Sequence, residues 1–204
     1  MSLFVLWLGV MFPLVFSPGP ANVVFAVSGA QVGVKRSVPL LAGVDCVFIL
    51  KSLLVGYGLA ELFLPYPNIM NALQLLGAFY LVYLGISFLP AAKKSAGRTF
   101  KPMGFVDGLI LQSLNSKGWL MVFLMFSLFA EQALQSFGEQ GTLMLVIWLA
   151  VLNISMHFVW IVAGGLLARV SDHPRYQTGL NGFYASCLFM VAIWMLVDKP
   201  LWLT

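Results

Sequence analysis

Charge is scarce in this chain. Seven acidic and eleven basic side chains serve 204 residues, so 9% are charged, against roughly a quarter in an ordinary soluble domain. That is too few to cover a water-facing surface. With 61% hydrophobic residues and a mean hydropathy of +0.96, most of the chain must have lipid as its solvent. Cysteine is scarce as well. Cys46 and Cys187 fall inside apolar runs with no paired spacing, which argues against a disulfide framework or a zinc site and leaves them as small packing residues. There is no phosphate-cradling glycine loop, no cluster of metal ligands and no nucleophile–base arrangement, so an ATP-driven pump or a hydrolase lacks its chemistry. No cofactor is called for. The N-terminus also lacks signal-peptide marks: no Lys or Arg precedes Leu3, no small-residue cleavage pattern follows, and Pro18 comes directly after Ser17. The first apolar run is therefore expected to stay as a span.

What the chain has is apolar runs separated by short polar stretches. Crossing a hydrocarbon core of about 30 Å takes roughly 20 helical residues, and runs of that order lie at 3–34, 37–62, 69–90, 104–131, 141–168 and 179–198. The expected fold class is therefore all-α, a polytopic membrane protein of six transmembrane helices forming one transporter domain. Positive residues collect in alternate loops: Lys35 and Arg36; Lys93, Lys94, Arg98 and Lys101; Arg169 and Arg175. By the positive-inside rule these loops are cytoplasmic and both termini lie outside. The net charge of +4 then describes loops beside an anionic leaflet, and no nucleic-acid partner is needed.

Two runs are longer than a straight span and carry interruptions, Ser17-Pro18-Gly19-Pro20 in the first and Asn115-Ser116-Lys117-Gly118 in the fourth. Proline has no N–H to lose at the first turn of a helix, so Pro20 can restart a half-helix. Gly19 reads as the point where the backbone turns. Asn115 can cap a second half-helix. Such starts present unpaired N–H groups and the positive end of the helix dipole, a site suited to a carboxylate. At membrane depth, irregular backbone must face protein or a cavity. The breaks fall at corresponding places in two halves, about 1–90 and 104–198, joined by a basic cytoplasmic loop over 91–103. Three spans per half imply inverted three-helix repeats with broken first and fourth helices.

Polar groups at depth narrow the site. At 1.5 Å per residue, Asp45 and Lys51 sit about 10 and about 20 Å into the second span, where an ionisable group costs at least about 2.5 kcal/mol without a partner. They are about 120° apart around the helix, so they should not pair with each other. Lys51 has a stem long enough to snorkel. Asn153, His157 and Trp160 form one polar stripe on the fifth span, and Gln112 and Asn115 share a face of the fourth. Asp107 lies near the basic loop and is expected to pair with Lys101 or a neighbour. Gly29-x-x-x-Gly33 and Gly104-x-x-x-Gly108 allow close helix approach, within the chain or in a homodimer. Trp7, Tyr66, Trp194 and Trp202 lie near span ends and suit the interfacial belt.

These residues together resemble the lysine-exporter (LysE) and homoserine/threonine-resistance (RhtB) family of bacterial amino-acid exporters. Ser17-Pro18-Gly19-Pro20-Ala21-Asn22 is similar to its Pro-Gly-Pro-Asn signature, and Ala42-Gly43-Val44-Asp45 to its Gly-x-x-Asp. Leu75 to Gly85, LLGAFYLVYLG, resembles its third-span pattern. Phe105-x-x-Gly108-x-x-x-Gln112-x-x-Asn115-Ser116-Lys117 resembles its Asn-Pro-Lys motif. Two departures stand out: Ala21 precedes Asn22, and Ser116 stands where the family has proline. After about Ala130 the likeness is one of length and hydropathy.

The resemblance implies a secondary carrier in the bacterial inner membrane that exports amino acids, with proton influx as the driving force. The substrate would be bound by Pro18, Gly19, Pro20, Asn22, Gln112, Asn115 and Lys117. Asp45 would handle the substrate ammonium or the coupled proton, His157 would share the proton step, and Lys51 and Asn153 would be further intramembrane polar residues. A cavity neutral apart from Asp45 and Lys51 favours small neutral amino acids such as threonine, homoserine or cysteine. The alternative from another class is a non-transporting assembly partner or an intramembrane enzyme, in which packing would seal Asp45 and both breaks. Metal-cation efflux is disfavoured, because no deep site gathers several carboxylates, thiolates or histidines.

Overall fold

The computed structural model describes residues 2–58, 72, 75–86, 102–169 and 174–197. Among these every regular element is helical: α1 Leu3–Phe16, α2 Pro20–Gly56, α3 Leu75–Ile86, α4 Phe105–Ser113, α5 Ser116–Phe137, α6 Gly141–Arg169 and α7 Pro174–Val197. A short 3-10 turn, Gly138–Gln140, joins α5 to α6. Tyr66, Lys101 and Trp202 lie outside the described residues, as do most of the basic loop and the Trp194 side chain.

The 37 residues of α2 are two helices, not one. Gly33 sits at φ 76°, ψ 174°, a region open essentially to glycine alone. In a straight helix Ser28 and Ser37 would stand about 13.5 Å apart along the axis, yet their hydroxyl oxygens are 2.8 Å apart. The chain therefore folds back at Gly33, and the Ser37 hydroxyl, which also reaches the Gly33 carbonyl at 2.9 Å, staples the reversal. A second reversal follows α5. Gly138 has φ 60°, the Phe137 and Trp148 rings meet edge to face at 5.7 Å, and a Cβ on Gly141 would lie 2.5 Å from the Ala133 carbonyl carbon.

Small residues set the helix crossings. A Cβ on Gly29 would overlap the Ile161 carbonyl, and one on Gly164 the Ala26 carbonyl, so α2 and α6 meet backbone to backbone. Gly43 and Gly108 do the same for α2 and α4, against Phe105 and Leu40. The two spaced glycine pairs thus split in role. Gly29 and Gly108 pack, whereas Gly33 makes a turn with nothing near its missing Cβ, and Gly104 is the N-cap of α4, its N–H donating to Asp107 Oδ2 at 2.7 Å.

Two apolar clusters fill the interior. One joins Trp7, Met11 and Val15 of α1 to Phe48 and Val55 of α2, Met121 to Ala133 of α5, and Leu145, Val146 and Leu149 of α6. The other joins Val24, Phe25, Leu40 and Val44 of α2 to Leu81, Leu111, Ile161 and Leu188. Buried polar residues lie between them: along α6, Asn153 and His157 fall between Leu149 and Ile161. Outward faces are apolar on every helix, from Phe4 and Val106 to Val151 and Met190, far beyond the patches a soluble monomer exposes. Trp7 departs from its expected place in the interfacial belt. It is buried at 1% exposure because Phe4 and Trp148 enclose it, with ring centroids 6.0 and 5.5 Å away. Cys46 and Cys187 are both free thiols; Cys46 is exposed on the outer face, so it does not pack inside.

Candidate functional site

Both interrupted segments open onto one cleft. At the first break α1 ends at Phe16 and α2 restarts at Pro20, its first turn fixed by the proline. At the second, Asn115 is the N-cap of α5, its side-chain oxygen accepting from the Gly118 N–H at 3.3 Å. Between them lies a cleft, partly open to the surroundings and lined by Gly19, Pro20, Asn22, Gln112, Asn115, Lys117, Asn153 and His157 together with the apolar Leu14, Val15, Phe48 and Met121. Pro18 is exposed beside the break and is not on this wall.

Broken helices leave carbonyls without partners at membrane depth, and this site supplies donors to them across the molecule. Asn22 Nδ2 donates to Val15 O at 2.9 Å and Ser17 O at 3.0 Å. Lys117 Nζ donates to Ser17 O and to Ser17 Oγ, each at 2.8 Å. At the other break Lys51 Nζ donates to the carbonyls of Gln112, Ser113 and Asn115 and sits 4.5 Å over the Trp119 ring. Lys51 therefore does not snorkel. It is 2% exposed, pulled inward by the negative end of α4, and it lies off the cleft wall. Gln112 Oε1 accepts from Asn115 Nδ2 at 2.9 Å, fixing the pair.

Gly19 has a different reason to be glycine from the one its sequence suggests. Its φ of −162° and ψ of 177° are extended backbone that any residue adopts. What needs the missing Cβ is the Lys117 stem, whose Cδ and Nζ would lie 2.9 and 3.1 Å from it.

Behind the wall stands a buried acid. The His157 Nδ1–H donates to Asp45 Oδ1 at 2.8 Å, and Asn153 Nδ2 donates to the same oxygen at 3.3 Å. Asp45 Oδ2 has no partner among the described residues. Phe25 covers His157, with ring centroids 4.5 Å apart. Asp45 does not itself line the cleft, and no carboxylate among the described residues does. Asp45 and Lys51 do not meet, in keeping with their angular separation. Trp160 leaves the stripe and packs on Phe16 at 6.0 Å.

The sequence reading passed over Phe25, Phe48, Met121 and Ser17. Phe25 follows Asn22, and Phe48 follows Asp45, at the three-residue spacing that shares a helix face; that spacing was the available signal. Nothing local marks Ser17 as the acceptor for Lys117.

The LysE type translocator family matches residues 12–199, well past Ala130. Among similar proteins, the cysteine/O-acetylserine efflux protein of Salmonella typhimurium is 29% identical over 179 residues, covering 87% of this chain and 89% of that protein. The protein of the same name from Escherichia coli K12 is 27% identical over 177 residues, with the same coverage. No solved structure matches. A match over nearly the whole length, on a helical membrane chain with both motif-bearing breaks on one cleft, makes this protein a member of the LysE type translocator family, a transporter and not an enzyme.

Proposed function

We propose that this protein exports small neutral amino acids from the cytoplasm across the bacterial inner membrane, exchanging each for inbound protons. The observation that carries the reading is the meeting of two half-helix starts, at Pro20 and Asn115, with Lys117 on one small cleft. Helix N-termini and an ammonium suit a carboxylate. Asn22 and Asn153 each spend their amide N–H on another group, leaving carbonyl oxygens for the substrate ammonium. With one lysine and no carboxylate among the described residues of the wall, a cationic side chain would lack a counter-charge there. The efflux substrates named for the relatives, cysteine and O-acetylserine, are small and carry no cationic side chain, in keeping with this lining.

Asp45 and His157 serve the proton in this reading. Asp45 stands behind His157 and Asn153, so it is assigned to coupling and not to the substrate ammonium. A proton reaching its open Oδ2 would neutralise the acid and loosen its hold on His157. The inverted repeat is part of the proposal too. Each half runs as a broken helix, a positive-φ glycine reversal at Gly33 or Gly138, and a long helix. Gly29 of the first broken helix meets Ile161 of α6, and Gly108 of the second meets Leu40 on the returning arm of α2, an exchange that a two-fold axis in the membrane plane would produce. With six crossings the basic loops lie inside and both termini outside.

Amino-acid release from dipeptide-loaded cells, beside an Asp45→Asn variant at equal membrane abundance, tests the function. Faster release of particular amino acids, lost in Asp45→Asn, is the expected result. Release at the empty-vector rate for every amino acid removes the exporter reading and moves an assembly role to the front.

A further inference from the structure

Lys117 ties the two breaks together. It belongs to the first turn of α5, yet its ammonium is held by the carbonyl and hydroxyl of Ser17 at the end of α1, both at 2.8 Å. Its stem crosses the empty side of Gly19, and it faces the cleft. Both of its acceptors are uncharged, and the described residues of the wall include no carboxylate. A charged acceptor forms a hydrogen bond roughly twice as strong as a neutral one. A carboxylate arriving in the cleft would therefore outcompete Ser17 for this ammonium.

We infer that Lys117 is an exchangeable tether: the substrate carboxylate draws its ammonium from Ser17, and that exchange unfastens α1 from α5 at their breaks. Gly19 is then a positioning residue, the slot through which the lysine reaches across. After the exchange Asn22, through Val15 and Ser17, still joins the carbonyl end of α1 to α2. Lys51 is the fixed counterpart. Its ammonium lies off the cleft, in the carbonyl end of α4 and over Trp119, so the second break keeps its clamp whether or not substrate is bound. The inference rests on the proposed binding of an amino-acid carboxylate at this cleft, and it adds how occupancy would be felt by the two halves.

The test places spin labels at Phe16 and Leu120, on outward-facing positions of α1 and α5, in protein carrying Cys46→Ala and Cys187→Ala. L-threonine and L-homoserine are added in turn, each beside its carboxamide, with binding followed by competition. An amino acid should lengthen or broaden the label distance, and its carboxamide should not. Gly19→Ala, whose methyl would lie 2.9 Å from the Lys117 Cδ, should displace the stem from Ser17 and give the lengthened distribution without ligand. Ser17→Ala weakens the same tether from its acceptor side: with a weaker resting acceptor to displace, half-saturation should fall, a gain that general damage to the fold would not produce. Bound amino acid with an unchanged distance, or a rise in half-saturation for Ser17→Ala, overturns the tether and leaves the exporter reading standing. Absence of binding by any amino acid at this cleft overturns both.

Discussion

Lys51 Nζ lies 3.4 Å from the carbonyl oxygen of Asn115, the residue whose side chain caps the helix that follows. One buried ammonium thus closes the carbonyl end of α4 at the point where α5 begins. The break survives at membrane depth because its orphan acceptors have found a charge. Removing that charge should cost more than removing a surface lysine. Lys51→Met leaves buried carbonyls unpaired and is expected to destabilise the protein by about 2–4 kcal/mol, seen as a fall of roughly 5–10 °C in the melting temperature of detergent-solubilised protein. An unchanged melting temperature would mean that water or lipid headgroups serve these carbonyls.

His157 offers a cleaner test of coupling than Asp45, because a donor to Asp45 can be kept while the titrating ring is lost. His157→Gln can still donate a hydrogen bond to Asp45 Oδ1, where the imidazole now does at 2.8 Å, but it cannot take up a proton. Efflux driven by an imposed pH gradient in proteoliposomes should fall at least about tenfold, the scale of a lost proton-transfer partner, while exchange of labelled for unlabelled amino acid continues. Equal losses in both assays would place His157 in substrate binding.

Gly29 and Gly33 belong to one spaced pair and should fail in different ways. Alanine at Gly33 has room, since nothing lies within 4 Å of its Cβ position, but it must hold φ +76°, a strain of about 1–3 kcal/mol. Alanine at Gly29 meets no dihedral penalty and instead drives its methyl into the Ile161 carbonyl, forcing α2 off α6. Gly33→Ala is expected to lower stability and leave transport kinetics intact in the folded fraction. Gly29→Ala should alter the half-saturation constant as well, because His157 and Asn153 ride on the same α6. Matching kinetic defects in the two variants would count against this division.

The legible parts of this molecule were those decided locally. Proline after Gly19 and asparagine before a helical run mark helix starts by their own chemistry, and Pro20 and Asn115 hold those positions in the fold. The angular separation of Asp45 and Lys51 follows from the helix repeat and needs no tertiary information. What could not be read was decided by partners far along the chain. Gly19 beside two prolines reads as a turn residue, and only the arrival of the Lys117 stem shows that it supplies room. Lys51 could snorkel or turn inward, and the negative end of α4 decides it. Trp7 lies near a span end like an interfacial residue, yet Trp148 of a helix remote in sequence buries it. Glycines four apart signal close packing in general, but whether a given one packs, caps or reverses the chain depends on which helix comes back to meet it.

Selectivity should rest on the apolar side of the cleft. Leu14, Val15, Phe48 and Met121 are the larger apolar residues that line the cleft. A substrate whose carboxylate and ammonium are held by the polar side must direct its side chain here. Met121 is the wall residue most open to change: it is long and unbranched, and a flexible thioether gives way more readily than a ring. Shortening it in Met121→Ala lengthens the space by most of a side chain, at a stability cost of about 2–5 kcal/mol where the site cannot collapse. Each methylene accommodated in an apolar pocket is worth about 1–3 kcal/mol of discrimination. Leucine and methionine should therefore compete against the exported amino acid at least about tenfold more strongly in Met121→Ala than in the parent, with the smallest substrate little affected. Met121→Phe should narrow the range in the opposite direction. If leucine competes equally in all three proteins, the side chain of the substrate points elsewhere, and the carboxylate and ammonium assignments must turn with it.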